Sequence, residues 1–234
     1  MKFYTLDGNE IDKPEFVEKY GNSYYMDCKR YIPRVVQNSR FVENHIDTLL
    51  KNGIQKPLDV VHILAWKIGK IKHSESQDSF VYANDWKNAE QFRAYRYNRK
   101  FDIQTISEYI TNNITQLEKK AESDPQQVLC ELRDLHINGL GTVYIITLLY
   151  FISRGQYPIY DRFAWKAIQA ICDDKKPGDV IHASELPEKK SHAFDTVFDT
   201  HMIPYMEKLK SVFGSAYQES RDVDRALWVY GHKF

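Results

Sequence analysis

The chain has 234 residues, of which 43% are hydrophobic and 27% are charged, and its formal net charge at pH 7 is zero. This composition is typical of a globular protein with one domain or two small ones, and it excludes a disordered chain. A neutral chain is not a strongly basic nucleic-acid binder as a whole, although a local basic patch is sufficient for contacts with phosphates.

The three cysteines, Cys28, Cys130 and Cys172, lie far apart and form no CxxC pair. Their spacing argues for a reducing compartment and against a structural zinc site. Residues 1–13 contain no apolar core of the signal-peptide type, and no apolar run is long enough to span a bilayer. We therefore expect a cytoplasmic protein without a membrane partner.

The N-terminal part of the chain predicts mostly helices. Asp7-Gly8-Asn9 is a turn signal that either joins two short strands or leads into a helix at Pro14 to Tyr20. Apolar residues at helical spacing predict a helix from Tyr31 to about Asn52 and another from Leu58 to Ile71. The Ser-rich segment from His73 to Asp85 predicts a loop, so strands are expected only near the N-terminus.

A basic segment comes next. From about Asn88 the sequence predicts a helix that includes residues 93–100, where cations alternate with tyrosines. Arg93 and Arg96 are candidates for phosphate contacts, and tyrosines in such a mixture can stack on bases. The other interpretation is a solvated basic helix face with the tyrosines packed inward.

A helix predicted at Ile103 to Glu122 is broken at Asp124-Pro125, and a short amphipathic helix follows it. That helix ends in the turn Asn138-Gly139-Leu140-Gly141, whose glycines allow a positive φ or a close backbone approach. Thr142 to Ser153 predicts a second helix that is apolar on nearly every side, as expected for a helix in the middle of a domain. The order is helix, hairpin, buried helix.

The hairpin is suited to hold an anion. The N-terminus of the buried helix presents unpaired N–H groups and the positive end of the helix dipole, which favour a DNA phosphate. A Cβ at position 141 would keep such a phosphate away. The candidate DNA-binding residues are Asn138, Gly139, Leu140, Gly141, Thr142 and Val143. The alternative is that the glycines only close a turn between two helices.

Asp161 follows the loop Tyr157-Pro158-Ile159-Tyr160 and precedes a predicted helix from Arg162 to about Cys172. It is either an ordinary N-cap or a carboxylate that the helix amides keep ionised. In a cleft, an ionised carboxylate can stabilise an oxocarbenium-like sugar or orient a water molecule.

The C-terminal part predicts a loop to Pro187 and further helices around residues 191–200, 204–213 and 221–230. Asp195 and Asp199 lie one turn apart with His201 nearby. One carboxylate pair and one histidine fall short of a metal-ligand set, so we interpret them as a solvated face.

The hairpin, the buried helix, the Pro-containing loop and Asp161 together resemble the helix-hairpin-helix DNA glycosylase superfamily, with an endonuclease III-like fold that lacks the iron-sulfur cluster. In that family a Leu-Pro-Gly-Val-Gly-like hairpin precedes a buried helix, and an essential Asp follows a Pro-containing loop. The spacing from hairpin to Asp matches here without a gap, and the resemblance covers about 45 residues, roughly 126–171. It implies DNA as partner and Asp161 as the catalytic residue of base excision repair.

The departures from the family pattern narrow the expectation. The place of the lysine that forms a Schiff base in bifunctional members is taken by Val143, which cannot form an imine. The resemblance therefore implies a monofunctional hydrolase that uses water as nucleophile. The hairpin Pro is replaced by Asn138, and the three separated cysteines cannot hold the iron-sulfur cluster of some members.

The resemblance also implies features that the local sequence leaves open. No cofactor is expected; since members often bind a monovalent cation through hairpin carbonyls, the resemblance is compatible with a structural Na⁺ or K⁺ at those of Leu135, Ile137 and Leu140. Tyr157 and Tyr160 are candidates for stacking on a flipped base, with core packing as the alternative. Trp66 and Trp86 are weaker candidates of the same kind.

We predict a mainly all-α fold of two helical subdomains with a cleft between them. Residues 45–155 would form a helical barrel that ends in the helix-hairpin-helix at 126–153. Residues 1–44 and 156–234 would form the second subdomain, with Asp161 at the junction. Two other functions stay open: a non-catalytic helix-hairpin-helix DNA-binding protein and a helical protein-interaction module.

Overall fold

Helices make up most of the molecule, which confirms the prediction of a mainly all-α fold. The structure, a computed structural model, describes residues 1–31, 40–74, 76–96 and 99–232. Within these residues the helices are α1 Lys13–Tyr31, α2 Arg40–Asn52, α3 Pro57–Lys67, α4 Ile103–Ser123, α5 Pro125–Asp134, α6 Thr142–Ile152, α7 Arg162–Cys172, α8 Ile203–Phe213, α9 Ala216–Glu219 and α10 Asp222–Gly231.

Three separate antiparallel hairpins supply the strands of the described residues. They are formed by β1 Phe3–Tyr4 with β2 Glu10–Ile11, β3 Ile71–Ser74 with β4 Ser79–Tyr82, and β5 Ala94–Arg96 with β6 Arg99–Phe101. The turn at Gly8 thus both joins two strands and precedes a helix. The prediction that strands occur only near the N-terminus was wrong, because residues 71–101 contain two of the three hairpins.

The predicted basic helix from Asn88 was also wrong. Short 3-10 turns at Asn84–Trp86 and Ala89–Gln91 lead into the β5–β6 hairpin instead. Phe92 adopts a left-handed conformation with φ of 57°, which ends the helical turn. Trp86 is 1% exposed and donates from Nε1 to the Tyr95 carbonyl oxygen at 3.1 Å, so burial of one large ring fixes the hairpin above it.

Three further helix predictions need correction in their bounds. Tyr31, expected to begin the second helix, ends α1, and α2 is described from Arg40; residues 32–39 of that prediction lie outside the described residues.

Helix α3 ends at Lys67 rather than at Ile71, because Gly69 takes a positive φ of 65° and the chain continues into β3. Around residues 191–200 the chain is helical but not a regular α-helix: a 3-10 segment at His192–Thr196 precedes a π-helical segment at Phe198–Met202.

Helix α6 lies in the middle of the molecule, as its all-round apolar pattern predicts, and residues 145–152 are all buried. It contacts α3, α4 and α5, while α1 packs on α10 and α10 packs on α7. The division into subdomains at residues 45–155 and at 1–44 with 156–234 stays a prediction. In the described ranges no helix is both long and apolar enough to cross a membrane.

Candidate functional site

The hairpin between α5 and α6 has two side chains buried in the core and two residues exposed to solvent. The side chains of Ile137 and Leu140 are only 4% and 1% exposed, whereas Asn138 and Gly139 lie at the surface. Gly139 has a φ of 80°, which a residue with a Cβ rarely adopts. The two apolar anchors therefore hold a sharp turn in front of α6.

Gly141 is the N-cap residue of α6, with φ of −89° and ψ of 172°. A Cβ built at Gly141 would meet only Tyr144 Cδ2, at 3.9 Å, which is an ordinary contact. Neither the backbone conformation nor the surrounding packing requires glycine here. The N–H groups of Thr142 and Val143 have no carbonyl partner one turn earlier in their own helix, so the space in front of Gly141 faces hydrogen-bond donors.

A second loop clasps the hairpin. Thr142 Oγ1 donates to the Pro187 carbonyl oxygen at 2.6 Å, and Lys189 Nζ donates to the Ile137 carbonyl oxygen at 2.6 Å. The Thr142 hydroxyl is thus engaged within the protein, and the Leu140 side chain is in the core. At these two predicted DNA-binding positions only the backbone is available to a phosphate.

Asp161 is the N-cap of α7, and its Oδ1 accepts from the Phe163 N–H at 2.9 Å. Its other oxygen, Oδ2, lies 3.5 Å from Lys67 Nζ. The two side chains are 18% and 14% exposed, so the pair is mostly shielded but open on one side. The Phe163 amide thus holds Oδ1 by a normal hydrogen bond, while the Lys67 ammonium is a longer electrostatic contact on Oδ2.

Sequence reasoning missed Lys67. It lies in the last turn of α3, where a basic residue is ordinarily explained by its favourable interaction with the negative end of the helix dipole. Lys67 is 94 positions away from Asp161 in the sequence, and no local motif links the two. Lys67 thus places an ammonium group beside Asp161 from a helix that is distant in the sequence.

Two residues of the C-terminal part complete this neighbourhood. Burial raises the pKa of Asp224, and Asp161 adds to that shift, while the positive charges of Arg221 and Lys67 oppose it. Burial also lowers the pKa of His232, whereas the negative charge of Asp161 acts in the opposite direction. Asp161 therefore lies within electrostatic reach of two ionisable groups that the sequence did not assign to the site.

Partly exposed aromatic rings adjoin Asp161. The rings of Phe163 and His232 are stacked with their centroids 3.5 Å apart, and the Trp228 ring lies 4.1 Å from that of His232. All three residues are intermediate in exposure. This aromatic cluster, Phe163, Trp228 and His232, was also missed, because its members come from α7 and from the end of the chain.

A buried ionic network supports the elements behind the site. Glu43 is fully buried, and its carboxylate accepts from Trp66 Nε1 at 2.7 Å and pairs with Arg221 at 2.9 Å and with Arg225 at 3.1 Å. Asp47 pairs with both arginines at 2.9 and 2.7 Å. The network joins α2, the residue before Lys67, and the region of Asp224 into one unit.

The predicted stacking residues are core residues. Tyr157 is 6% exposed and donates its hydroxyl to the Ala121 carbonyl oxygen at 2.9 Å; Tyr160 is 1% exposed and donates to the Ser184 carbonyl oxygen at 2.7 Å. Neither ring has a face open to a base, so the prediction that they stack on one is corrected in favour of core packing. Trp66 and Trp86 are buried in the same way, at 8% and 1% exposure.

The basic segment at residues 93–100 does not form a helix face, because its described residues lie in or next to the β5–β6 hairpin. Arg93 is exposed and forms an isolated bridge to Asn88 just before β5. The backbone of Arg96 is part of β5, while its side chain, like the whole of Tyr97, lies outside the described residues. A phosphate contact by either arginine would come from a β-hairpin.

The acidic pair near His201 is not arranged as a metal site. Asp195 forms an ion pair with Arg133, and His201 Nδ1 lies 2.8 Å from Thr200 Oγ1. No group of three or more His, Cys, Asp or Glu side chains is placed to hold a metal ion among the residues that the structure describes.

Fold and site together define a mainly α-helical protein. Its buried helix α6 is preceded by a glycine hairpin and followed, after one loop, by Asp161, which caps α7 and pairs with Lys67. A comparison with models of protein families, with curated proteins and with solved structures finds no match in any of the three. Membership of the glycosylase superfamily accordingly stays a prediction from residues 126–171.

Proposed function

We propose that this protein is a monofunctional DNA N-glycosylase, which flips a modified or mismatched base out of DNA and hydrolyses its N-glycosidic bond with Asp161. The observation that carries the proposal is the position of Asp161. It lies one loop beyond the buried helix of a helix-hairpin-helix, with one carboxylate oxygen on the Phe163 amide and the other facing Lys67. A cap alone needs no ammonium partner, whereas a carboxylate that must be oriented benefits from two donors.

In this proposal the hairpin holds the DNA backbone. A phosphate next to the target nucleotide would bind the N–H groups at the start of α6, in the open space in front of Gly141. The target nucleotide would then be flipped, because the N-glycosidic bond cannot be reached inside the base stack. Within the aromatic cluster, Trp228 is the ring proposed to stack on the flipped base, because the Phe163 and His232 rings already stack on each other.

Asp161 has two proposed roles, as an electrostatic stabiliser of the sugar and as a general base for water. As the bond between C1′ and the base nitrogen breaks, the base leaves with the electron pair and positive charge develops on the sugar. The Asp161 carboxylate stabilises that charge and accepts a proton from the water that attacks C1′. Lys67 and the Phe163 amide hold the carboxylate in place. Asp161 then gives its proton to solvent and the departed base anion takes one up from solvent, so the products are the free base and an abasic site.

Asp161→Asn is the matched test, because Asn is as good an N-cap as Asp and leaves the helix start intact. Base release is measured on duplexes that each carry one modified or mismatched base, with alkali to reveal abasic sites. We expect the wild type to release one class of base, and the variant to bind the same duplex with its rate reduced on the order of 10³-fold or more.

Equal rates for the two proteins would remove Asp161 from the chemistry. DNA binding at about 50 mM salt without base release from any duplex would favour a non-catalytic helix-hairpin-helix protein, and no DNA binding at that salt would favour a protein-interaction module.

A further inference from the structure

The loop that clasps the hairpin places an ammonium group where the resemblance is compatible with a metal ion. Lys189 Nζ donates to the Ile137 carbonyl oxygen at 2.6 Å. Ile137 is one of the three carbonyl donors assigned to a monovalent cation, with Leu135 and Leu140. A carbonyl oxygen that already faces an ammonium at this distance does not fit a second cation, since the two positive charges would repel each other.

We propose that the Lys189 ammonium is a built-in cation of the hairpin, which takes the place of a bound Na⁺ or K⁺ at the Ile137 carbonyl. The chain therefore needs no monovalent metal ion to hold the hairpin in shape. This inference rests on the proposed function only for its consequence in DNA binding, and its main test uses the protein without DNA.

The local structure holds Lys189 in this position. Thr142 Oγ1 bonds the Pro187 carbonyl oxygen at 2.6 Å, so the backbone two residues before Lys189 is fixed to the start of α6. The Lys189 side chain is partly buried, and burial, together with the charge of Lys190, lowers its pKa. The contact with the Ile137 carbonyl oxygen at 2.6 Å compensates in part for that loss of solvation.

The turn around Ile137 is sharp. His136, with φ of 53°, and Gly139, with φ of 80°, both take left-handed conformations that turn the chain sharply around Ile137. The Leu140 N–H lies 3.4 Å from the same Ile137 oxygen, which is a long contact that leaves room for a stronger donor. The charged Lys189 donor supplies it.

The ammonium has three donors, and one is used by Ile137. If DNA binds at the hairpin, the remaining donors add positive charge beside the amides at the start of α6. Lys189 would then serve both the turn and the phosphate, whereas a bound metal ion would serve mainly the turn.

The test compares thermal unfolding in KCl, NaCl and tetramethylammonium chloride at equal ionic strength, since tetramethylammonium is too large to sit among carbonyls. We expect the wild type to have the same Tm in all three salts to within about 1 °C. Lys189→Met keeps the apolar stem and removes the charge. Its Tm in tetramethylammonium chloride should be about 3–6 °C lower than that of the wild type, and K⁺ or Na⁺ should restore part of the loss in a saturable way.

Lys190→Met is the control, because Lys190 is exposed and adjacent but makes no described contact with the hairpin. Its removal relieves only a repulsion on Lys189, so its Tm should not fall and should be the same in all three salts. A wild-type Tm that rises specifically with K⁺ or Na⁺ would overturn the proposal, as would a Lys189→Met protein that is neither destabilised nor sensitive to the cation. If Lys189→Met does not fold, the wild-type comparison alone decides between these outcomes.

A second measurement locates the ion. In crystals grown with Rb⁺, an anomalous peak beside the Ile137 oxygen is expected in Lys189→Met and not in the wild type; a peak in the wild type would overturn the proposal. Failure of DNA binding changes none of these readouts, so a failure of the proposed function can be told apart from a failure of this inference.

Discussion

Gly231, the last residue of α10, lies directly against the backbone of Phe163 at the start of α7. A Cβ added at Gly231 would stand 1.8 Å from the Phe163 carbonyl oxygen and 2.4 Å from its carbonyl carbon. Both of these are backbone atoms, which cannot move aside without shifting α7. Because Asp161 caps α7 through the Phe163 N–H, this close approach of two helices also sets the position of the candidate catalytic carboxylate.

Gly231→Ala should therefore lower the free energy of unfolding and displace the Asp161 carboxylate. Overpacking costs about 1–3 kcal/mol in well-packed interiors, and a backbone clash lies at the upper end of that range. We expect urea unfolding to show a loss of about 3 kcal/mol, with base release reduced as well. Gly21→Ala in α1 is the control, since its Cβ would meet Asp222 O at an acceptable 3.5 Å and a helical Gly→Ala change is favourable by about 0.5–1 kcal/mol. Equal stability of the two variants would contradict this account.

Gly141→Ser separates phosphate binding from folding. Serine is a better N-cap than glycine, and position 141 has an ordinary backbone conformation and free space for a Cβ. The free energy of unfolding should stay unchanged or rise by a few tenths of a kcal/mol. DNA affinity, measured by fluorescence anisotropy at low salt, should fall about tenfold or more, because the new side chain occupies the phosphate position. Unchanged affinity would contradict the placement of a phosphate in front of Gly141.

Lys67→Met tests whether the ammonium positions Asp161. Loss of one of the two donors on the carboxylate should lower the single-turnover rate of base release by roughly 10²-fold, with DNA affinity little changed. Lys70→Met is the matched control, because Lys70 pairs with Asp85 at 2.9 Å instead. An undiminished rate in Lys67→Met would limit Lys67 to a structural contact.

Borohydride trapping addresses the amine chemistry. The wild type should not be trapped on DNA, because Val143 cannot form an imine, whereas Val143→Lys should give weak trapping and strand cleavage. Trapping of the wild type would overturn the monofunctional assignment. In that case Lys67, the amine 3.5 Å from Asp161, would be the first residue to replace.

Glu43→Gln should be among the most destabilising isosteric changes in the molecule. It removes the buried charge that faces Arg221 and Arg225, both about 5% exposed or less, and breaking a buried pair in this way costs about 3–5 kcal/mol. Asp47→Asn should cost less, because the Asp47 side chain is 40% exposed and water can replace it. Chemical denaturation of both variants checks the order, and a reversed order would contradict it.

The stability of the protein should depend on pH through His62. Burial lowers the pKa of His62 to about 3, and its Nδ1 lies 2.8 Å from His45 Nε2. An unfolded histidine takes up a proton near pH 6.5, so below that pH the unfolded chain binds more protons than the folded one. The stability gained by burying neutral His62 is complete above about pH 6.5 and is lost as the pH falls towards 3.

From His62 alone, the free energy of unfolding should drop by roughly 2 kcal/mol between pH 7 and pH 5. His62→Phe keeps an aromatic ring in the pocket beside Phe80 but cannot titrate. Its stability curve over the same range should be shallower than that of the wild type by that amount, and parallel curves would show that His62 does not carry the dependence.

The sequence by itself determined the helices and the local unit around the hairpin. Helical periodicity is a short-range property, so α4, α6, α7 and α10 follow from the spacing of their apolar residues. The turn at Gly139 and the cap at Asp161 are likewise encoded within a few residues of where they occur. The prediction of a helix from Asn88 was wrong, because the chain there forms the β5–β6 hairpin, which packs on the buried Trp86 ring. That contact exists only in the folded chain.

Only the tertiary structure decided which groups surround Asp161 and the hairpin. Lys67 comes from the end of α3, the aromatic cluster joins α7 to α10, and Lys189 reaches Ile137 from a loop 52 positions away. The same packing buries the Tyr160 ring, which the sequence had suggested as a stacking residue of the site. Such neighbours are set by how helices cross and how loops return, and that geometry depends on side-chain fit over the whole molecule rather than on any local pattern.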